Sequence, residues 1–423
     1  MASQRFGSRG IAVARERYPT TAEVISGARE LTLRYPDICR LGKVGRSRAG
    51  RPLLMLTVGR GRRNVLVVAG PHANEAAVGG ATVLSLAALI AATRERGEDD
   101  GSAWHFLLCI DPDGAALNEP WLPGPYTLRG HYEHFFRPCT AEQPEWLPHS
   151  GGVRAAVLPE TRALVGVLDG LRPVLQCSLH GIDVSGCFIQ LTSEVPGVSE
   201  RIRKSAAELD IPLESGSSDA FQWPSPGPGV YVMPPGDDHA AGDGAHSTWT
   251  HAQRYGVTAI VEVPMWACDR TADVTPHPDP EHALRIAGAA LRRDLPVVAK
   301  VLRAITPELG GANGALLRTV RELVALGPRL TADWDPEVRR SDAAPLPPMT
   351  TARVTSMEVY AQRVPLRAAA MLRRIADVPL VARLVDEWCA AYERAYSPRW
   401  VPVADQVEQQ ARSVIAVYEE MHA

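Results

Sequence analysis

Residues 65 to 80, VLVVAGPHANEAAVGG, carry an apolar, strand-like stretch into a Gly-Pro turn and then present His72 and Glu75 ahead of an apolar segment. An imidazole and a carboxylate three positions apart can close on one divalent cation. Zinc accepts imidazole nitrogen and carboxylate oxygen at about 2.0 to 2.2 Å, and a hydrolytic site needs three protein ligands plus an open position for water. A third ligand must therefore come from elsewhere, and His180, at the end of the stretch VLQCSLH, is the candidate. Glu262 lies in TAIVEVPMW among apolar neighbours. A carboxylate there could point outward to water, or could serve as general base to a metal-bound water at the end of a central strand. Taken singly, an HxxE pair or a strand-end histidine is more often a satisfied structural residue.

The elements that must position these groups follow from periodicity. Apolar positions from Ala22 to Leu33 recur at helical spacing behind Thr20 or Thr21 as N-cap, and CRLGKVGRSRAGRPLLMLTVG reads as two strands around a turn. A strand at 65 to 69, a helix from about 75 to 93 and a strand from Trp104 to Ile110 make a βαβ unit of an α/β sheet. Asp111 to Gly114 is a turn by composition, and residues 115 to 158 read as a largely irregular, functional loop. A helix at 159 to 171 feeds a strand ending at His180, and strands at Phe188 to Thr192 and Thr258 to Val263 continue the alternation. In open α/β sheets ligands bind beyond the carboxyl ends of strands, where His72 and His180 both fall. A helix from about 279 to 304, with Pro296 as a possible break, and four helical patterns between 312 and 422 complete the chain. The reading is thus a catalytic domain at 1–305 and a helical extension at 306–423.

Composition excludes several classes. The 423 residues exceed one ordinary core, with 45% hydrophobic and 22% charged residues. A net charge of -3 argues against a nucleic-acid partner, and the arginines around positions 46 to 63 read as solvated groups at a hairpin turn. Seven cysteines without a CxxC pair look like reduced core thiols. The N-terminal residues lack a signal-peptide pattern, and the run from Ala81 to Ala92 is shorter than a membrane span, so the expectation is a cytoplasmic protein without a membrane partner.

With these motifs in order, the chain resembles the carboxypeptidase A-like zinc metallopeptidases over roughly residues 17 to 304. Tyr35-Pro36, GRSRAGRPL at 45 to 53, His72 with Glu75, the Asp111 to Gly114 turn, His180, Trp249 and Glu262 each match a family motif. The resemblance implies a central mixed, twisted sheet of about eight strands between helices. It also implies one zinc ion per chain held by His72, Glu75 and His180. Glu262 would be general base to the zinc-bound water, Arg129 the oxyanion arginine and Arg137 the arginine for the substrate's terminal carboxylate.

The chain departs from the family in places. Phe136 stands where an asparagine is expected before Arg137, and the eight-residue gap from Arg129 to Arg137 is closer to the aspartoacylase and succinylglutamate desuccinylase branch. The family's catalytic tyrosine would fall near Ala240, where there is none; Tyr231 or His239 could reach in from the same loop, and Ser247 falls near the position shaping the side-chain pocket. The leading expectation is a zinc metallocarboxypeptidase-like hydrolase cleaving an amide bond of a peptide or peptide-like small molecule. An N-acyl amino-acid deacylase or cell-wall peptide amidase on the same site is the second reading. A zinc-retaining binding or assembly protein is the third, with the C-terminal helices as a surface for self-association.

Overall fold

The computed structural model describes residues 16–148, 157–234, 245–308, 314–327, 329–341, 343 and 345–422. Helix α1 (Thr21–Arg34) precedes the antiparallel pair β1 (Cys39–Arg46) and β2 (Pro52–Val58), then β3 (Arg63–Ala69), α2 (Ala76–Glu95) and β4 (Ser102–Leu107). Short helices α3 (Pro112–Asn118) and α4 (Leu128–His134) and strand β5 (Trp146–Pro148) occupy much of the stretch read as irregular. Then come α5 (Pro159–Leu171), β6 (Leu175–Ser185), β7 (Phe188–Leu191), α6 (Val198–Glu208), β8 (Val230–Val232), β9 (Ala245–Ser247), α7 (Thr248–Ala252) and β10 (Val257–Ala267). The remainder is α8 (Pro280–Ile305), α9 (Gly314–Leu326), α10 (Thr351–Ile375), α11 (Pro379–Tyr396), β11 (Arg399–Trp400) and α12 (Val403–Glu420).

Eight strands form one mixed sheet in the order β1-β2-β4-β3-β6-β10-β7-β8, and β11 adds to β10. β3, β6 and β10 are parallel neighbours at its centre, with Ala69 opposite Leu179 and His180 opposite Glu262. This register delivers the chemistry-bearing residues of three separate segments to one place. Where β3 ends, Gly70 takes φ 65°, and a side chain there would meet the Cys109 sulfur at 2.9 Å. Gly79 lets α2 lie directly on Ala69, whose backbone a Cβ would approach to 3.3 Å.

β6 and β10 both run further than their local patterns suggest. β6 continues past His180 to Ser185, buried throughout, and pairs with β10 as far as Ala267. These extra residues are covered by the C-terminal segment: Val184, Val263, Met265 and Trp266 share one apolar cluster with Leu366, Ala369 and Leu372 of α10. Leu366, Met371 and Leu372 are fully buried, each worth roughly 1.5–3 kcal/mol. The helices after 306 therefore complete the core over the far end of the sheet. α12 lies against α2, α6 and β10, and α8 runs unbroken through Pro296.

The stretch Ala73–Glu95 is long and apolar enough to cross a membrane, at mean hydropathy 1.9, but 72% of it is buried inside the molecule. It is the core helix packed between α1, α12 and the sheet. The GRSRAGRPL turn also has a structural role. Ser47 Oγ and the Ala49 amide donate to the Asp113 carboxylate at 2.8 Å each, and Arg48 pairs with Glu160 and Glu142. These two arginines, Arg48 and Arg51, are pinned rather than merely solvated, and the Asp111 to Gly114 turn they hold opens α3, with Asp111 as its N-cap.

Candidate metal centre

His72 is in extended conformation just past β3 and leads into a single 3₁₀ turn, Ala73–Glu75, that turns the Glu75 carboxylate back toward its imidazole. His72 Nδ1 lies 3.0 Å from Glu75 Oε2, His180 Nδ1 lies 3.2 Å from the same oxygen, and the two Nδ1 atoms are 3.1 Å apart. All three residues are buried. Ligands bound at about 2.1 Å in tetrahedral array stand roughly 3.4 Å from one another, so this triangle fits a zinc-sized ion.

The far edges of the rings support this assignment. Glu145, from the loop before β5, places Oε1 3.3 Å from His180 Nε2 and Oε2 3.4 Å from His72 Nε2. Ser178 Oγ gives its proton to Glu145 Oε1 at 2.8 Å, so at 3.0 Å it accepts from His180 Nε2–H, leaving the Nδ1 lone pair facing Glu75. The carboxylate and hydroxyl behind the His180 imidazole fix its tautomer and raise its basicity, while His72 Nε2 faces the Arg137 guanidinium. His72, Glu145 and His180 also bring potential ligand atoms within 4.8 Å of one another. The Nδ1 side with Glu75 is the tighter set, and Glu145 Oε1 is already engaged by Ser178 and by Trp249 Nε1 at 2.9 Å.

Electrostatics make the same demand. Burial would lift the Glu145 carboxyl, but the imidazoles of His180 and His72 and the Ser178 hydroxyl outweigh it and hold the group down at about 2. Burial would also strip a proton from His180, yet Glu145, Glu75 and Glu262 together push its pKa well up. His72 is lowered, by burial and by Arg137. The buried carboxylates thus call for positive charge beside His180, which a divalent cation would supply.

Glu262 lines the same cleft, with Oε1 3.8 Å from His180 Nδ1 and Oε2 buried without a hydrogen-bond partner. Burial pushes its carboxyl up to about 8, against the pull of His180. Arg137 reaches the cluster as well: Nη1 donates to Glu75 Oε1 at 3.1 Å and Nη2 lies 2.9 Å from His72 Nε2. The backbone that leads into Arg137 is fixed by side chains of two other helices. Asn118 accepts from the Phe136 amide at 2.9 Å and donates to its carbonyl at 2.8 Å, and Arg374 of α10 donates to the carbonyls of His134 and Phe135.

Other sequence candidates lie elsewhere. Arg129 is not at the site: on α4 it is Leu128, His131 and Tyr132 that face the core, leaving Arg129 on the opposite face, half-exposed, paired with Glu133 and Asp386 at 3.2 Å each. Ser247 is buried as the N-cap of α7, accepting from the Thr250 amide. Tyr231 is buried and donates to the Glu214 carbonyl. His239 and Ala240 lie outside the described residues. Sequence reasoning missed Glu145, whose partners stand 33 and 104 residues away; the matching of Trp249 was the available pointer. His105 is a core histidine held by Thr57 and Asn64 at 3.0 Å each.

Fold and cluster define a class: an α/β protein with two imidazoles and a carboxylate converging beside the central parallel strands. Residues 24–186 match the zinc carboxypeptidase family model, Peptidase_M14. Among solved structures, the chain is similar to a metallo-carboxypeptidase from Burkholderia cenocepacia (18% identity, 57% of this chain and 59% of that one, TM-score 0.35). It is also similar to carboxypeptidase A from Helicoverpa armigera (14%, 63% and 68%, TM-score 0.40). A third is the murein-tripeptide amidase MpaA from Escherichia coli O157 (16%, 53% and 83%, TM-score 0.29). The chain spans less than two thirds of the length of several of the structures it matches. No curated protein matches it.

Proposed function

We propose that the protein is a zinc-dependent, metallocarboxypeptidase-like hydrolase that cleaves an amide bond in a peptide or peptide-like small molecule. The observation that carries this reading is the convergence of His72 Nδ1, His180 Nδ1 and Glu75 Oε2 within 3.0–3.2 Å beside Glu262, at the floor of a cleft of about 720 Å³. Zinc held there, one ion per chain, supplies Lewis acidity and a water acidified toward neutral pH. Glu262, with a buried and unpartnered oxygen, would be ionised once the charge of a bound cation offsets the burial that holds its carboxyl up, and it then takes the proton of the attacking water and returns it to the leaving amine. Arg137, anchored on Glu75, takes the role first given to Arg129 and faces the oxygen that gains negative charge.

Replacing Glu262 with glutamine tests the reading. The variant should keep stoichiometric zinc and lose turnover by at least about 10²-fold, the lower range for a positioned acid–base group. Full activity in Glu262→Gln would sink the proposed base. Stoichiometric zinc without hydrolysis of any amide by the native protein would favour a zinc-retaining binding protein.

One feature favours a second reading, an N-acyl amino-acid deacylase or a cell-wall peptide amidase. Phe136 is buried where the family pattern expects an asparagine, so it offers no polar group for a terminal carboxylate. Comparing C-terminally blocked with free-carboxylate peptides separates the two.

A further inference from the structure

We propose that helix α10 forms the recognition wall of the cleft and that its Arg363 and Arg367 receive a carboxylate of the substrate. The proposal rests on the hydrolase reading and names a substrate class for it. Met357, Tyr360, Arg363 and Arg367 follow one another at spacings of three and four, a single helical stripe, and all four line the cleft across from the metal cluster. The stripe therefore places its two guanidinium groups in the wall of the cleft.

Their surroundings leave cationic capacity to spare. Arg363 Nη1 lies 3.1 Å from Asp183 Oδ1 and Arg367 Nη2 lies 3.3 Å from Asp183 Oδ2, so one carboxylate serves two arginines, and Tyr132 OH donates to the same Oδ2 at 2.6 Å. The side chains are only 6% and 13% exposed, which makes an uncompensated charge costly. Arg367 Nε is buried with no hydrogen-bond partner, and the guanidinium is stacked on the Phe135 ring with its carbon 4.9 Å from the centroid. Asp219 also lies on the cleft and interacts with Arg363. Among the described residues five arginines and four carboxylates line the cleft, and Asp183 behind two of those arginines makes the count equal before the charge of a metal ion is added. A planar fork of donors held rigid by stacking suits a carboxylate. This wall supplies what the buried Phe136 cannot.

The test uses full-length, zinc-loaded protein and three N-acetyl dipeptides: Ala-Leu with a free terminus, Ala-Leu amide and Ala-Glu amide. Titration with succinate, followed by tryptophan fluorescence, gives a readout independent of turnover, because Trp223, Trp249 and Trp334 line the cleft. The free acid or the glutamyl amide should exceed the neutral amide in kcat/KM by about tenfold or more, and which of them does so identifies a terminal or a side-chain carboxylate as the source. Arg367→Gln should remove that preference mainly through KM and weaken succinate binding about tenfold, with Arg367→Lys in between. If Arg367→Gln is poorly folded, Arg367→Lys, which keeps a charge beside Asp183 but loses the planar fork, carries the test and should show smaller losses of the same kind. Succinate binding equal in native and folded variant protein, or equal turnover of all three dipeptides, overturns the proposal. If no dipeptide is cleaved but succinate binding still depends on Arg367, the hydrolase reading fails and the carboxylate site stands.

Discussion

The side-chain amide of Gln410 donates to the main-chain carbonyl of His180 at 2.5 Å, and its oxygen accepts from Thr82 Oγ1 at 2.7 Å. One residue of α12, 230 positions along the chain from the ligand, thereby ties the strand bearing His180 to the helix that follows Glu75. The C-terminal segment thus braces the candidate metal centre, and α10 lines the cleft beside it.

Gln410→Ala should expose this brace. It takes this donor from the buried His180 carbonyl, while Thr82 Oγ1 keeps its bond to the Val78 carbonyl, a loss of about 1–3 kcal/mol. Urea unfolding should show that loss, and competition with a chelator should show weaker zinc binding. Unchanged values in both would mean that the contact is incidental.

Glu145 is expected to act on the metal without touching it. Glu145→Gln keeps the shape but replaces an acceptor-only group behind His72 and His180 with one that also donates. Zinc affinity should fall about 10- to 100-fold, read by chelator competition, while far-ultraviolet circular dichroism stays native. If Glu145 were itself a ligand, zinc binding would be lost altogether.

Glu214 gives a pH dependence separate from the metal. Burial pushes its carboxyl up to about 7, although Ser185 Oγ and the amides of Gly186 and Gly216 donate to it. The folded chain therefore holds this proton more tightly than the unfolded chain does. The stability it contributes is fully present below about pH 4.5, declines as pH rises to about 7, and is gone above that, a change on the order of 3 kcal/mol. Glu214→Gln should flatten this part of the profile. Urea midpoints at pH 5 and pH 8 for both proteins decide it: a native protein equally stable at the two values, or an unaltered slope in the variant, would count against the assignment.

The central elements were legible because their signals are local. The run VLVVA, the turn at Gly70 and the apolar helix after Glu75 each follow from a few neighbouring residues, and the order of motifs singled out His180 and Glu262. Arg129 and Arg137 could not be sorted in this way. Which face of the seven-residue α4 packs inward depends on Leu128, His131 and Tyr132 finding partners in distant segments, and that leaves Arg129 outside. The extent of β6 and β10 was hidden for a related reason: their last residues are strand because α10 and β11 cover and pair with them.

By itself the sequence determined the candidate metal-binding residue types, their order and the strand-turn-helix that starts the site, since these depend on backbone preferences and ligand chemistry over short spans. Tertiary structure alone decided which arginine reaches the cluster, that Glu145 stands behind both imidazoles, and that a helix from the C-terminal segment walls the cleft. Those outcomes depend on contacts between residues tens to hundreds of positions apart. Arg363 and Arg367 lie 180 and 184 positions from Asp183, and they line the cleft because that carboxylate, three residues beyond His180, draws them against the sheet.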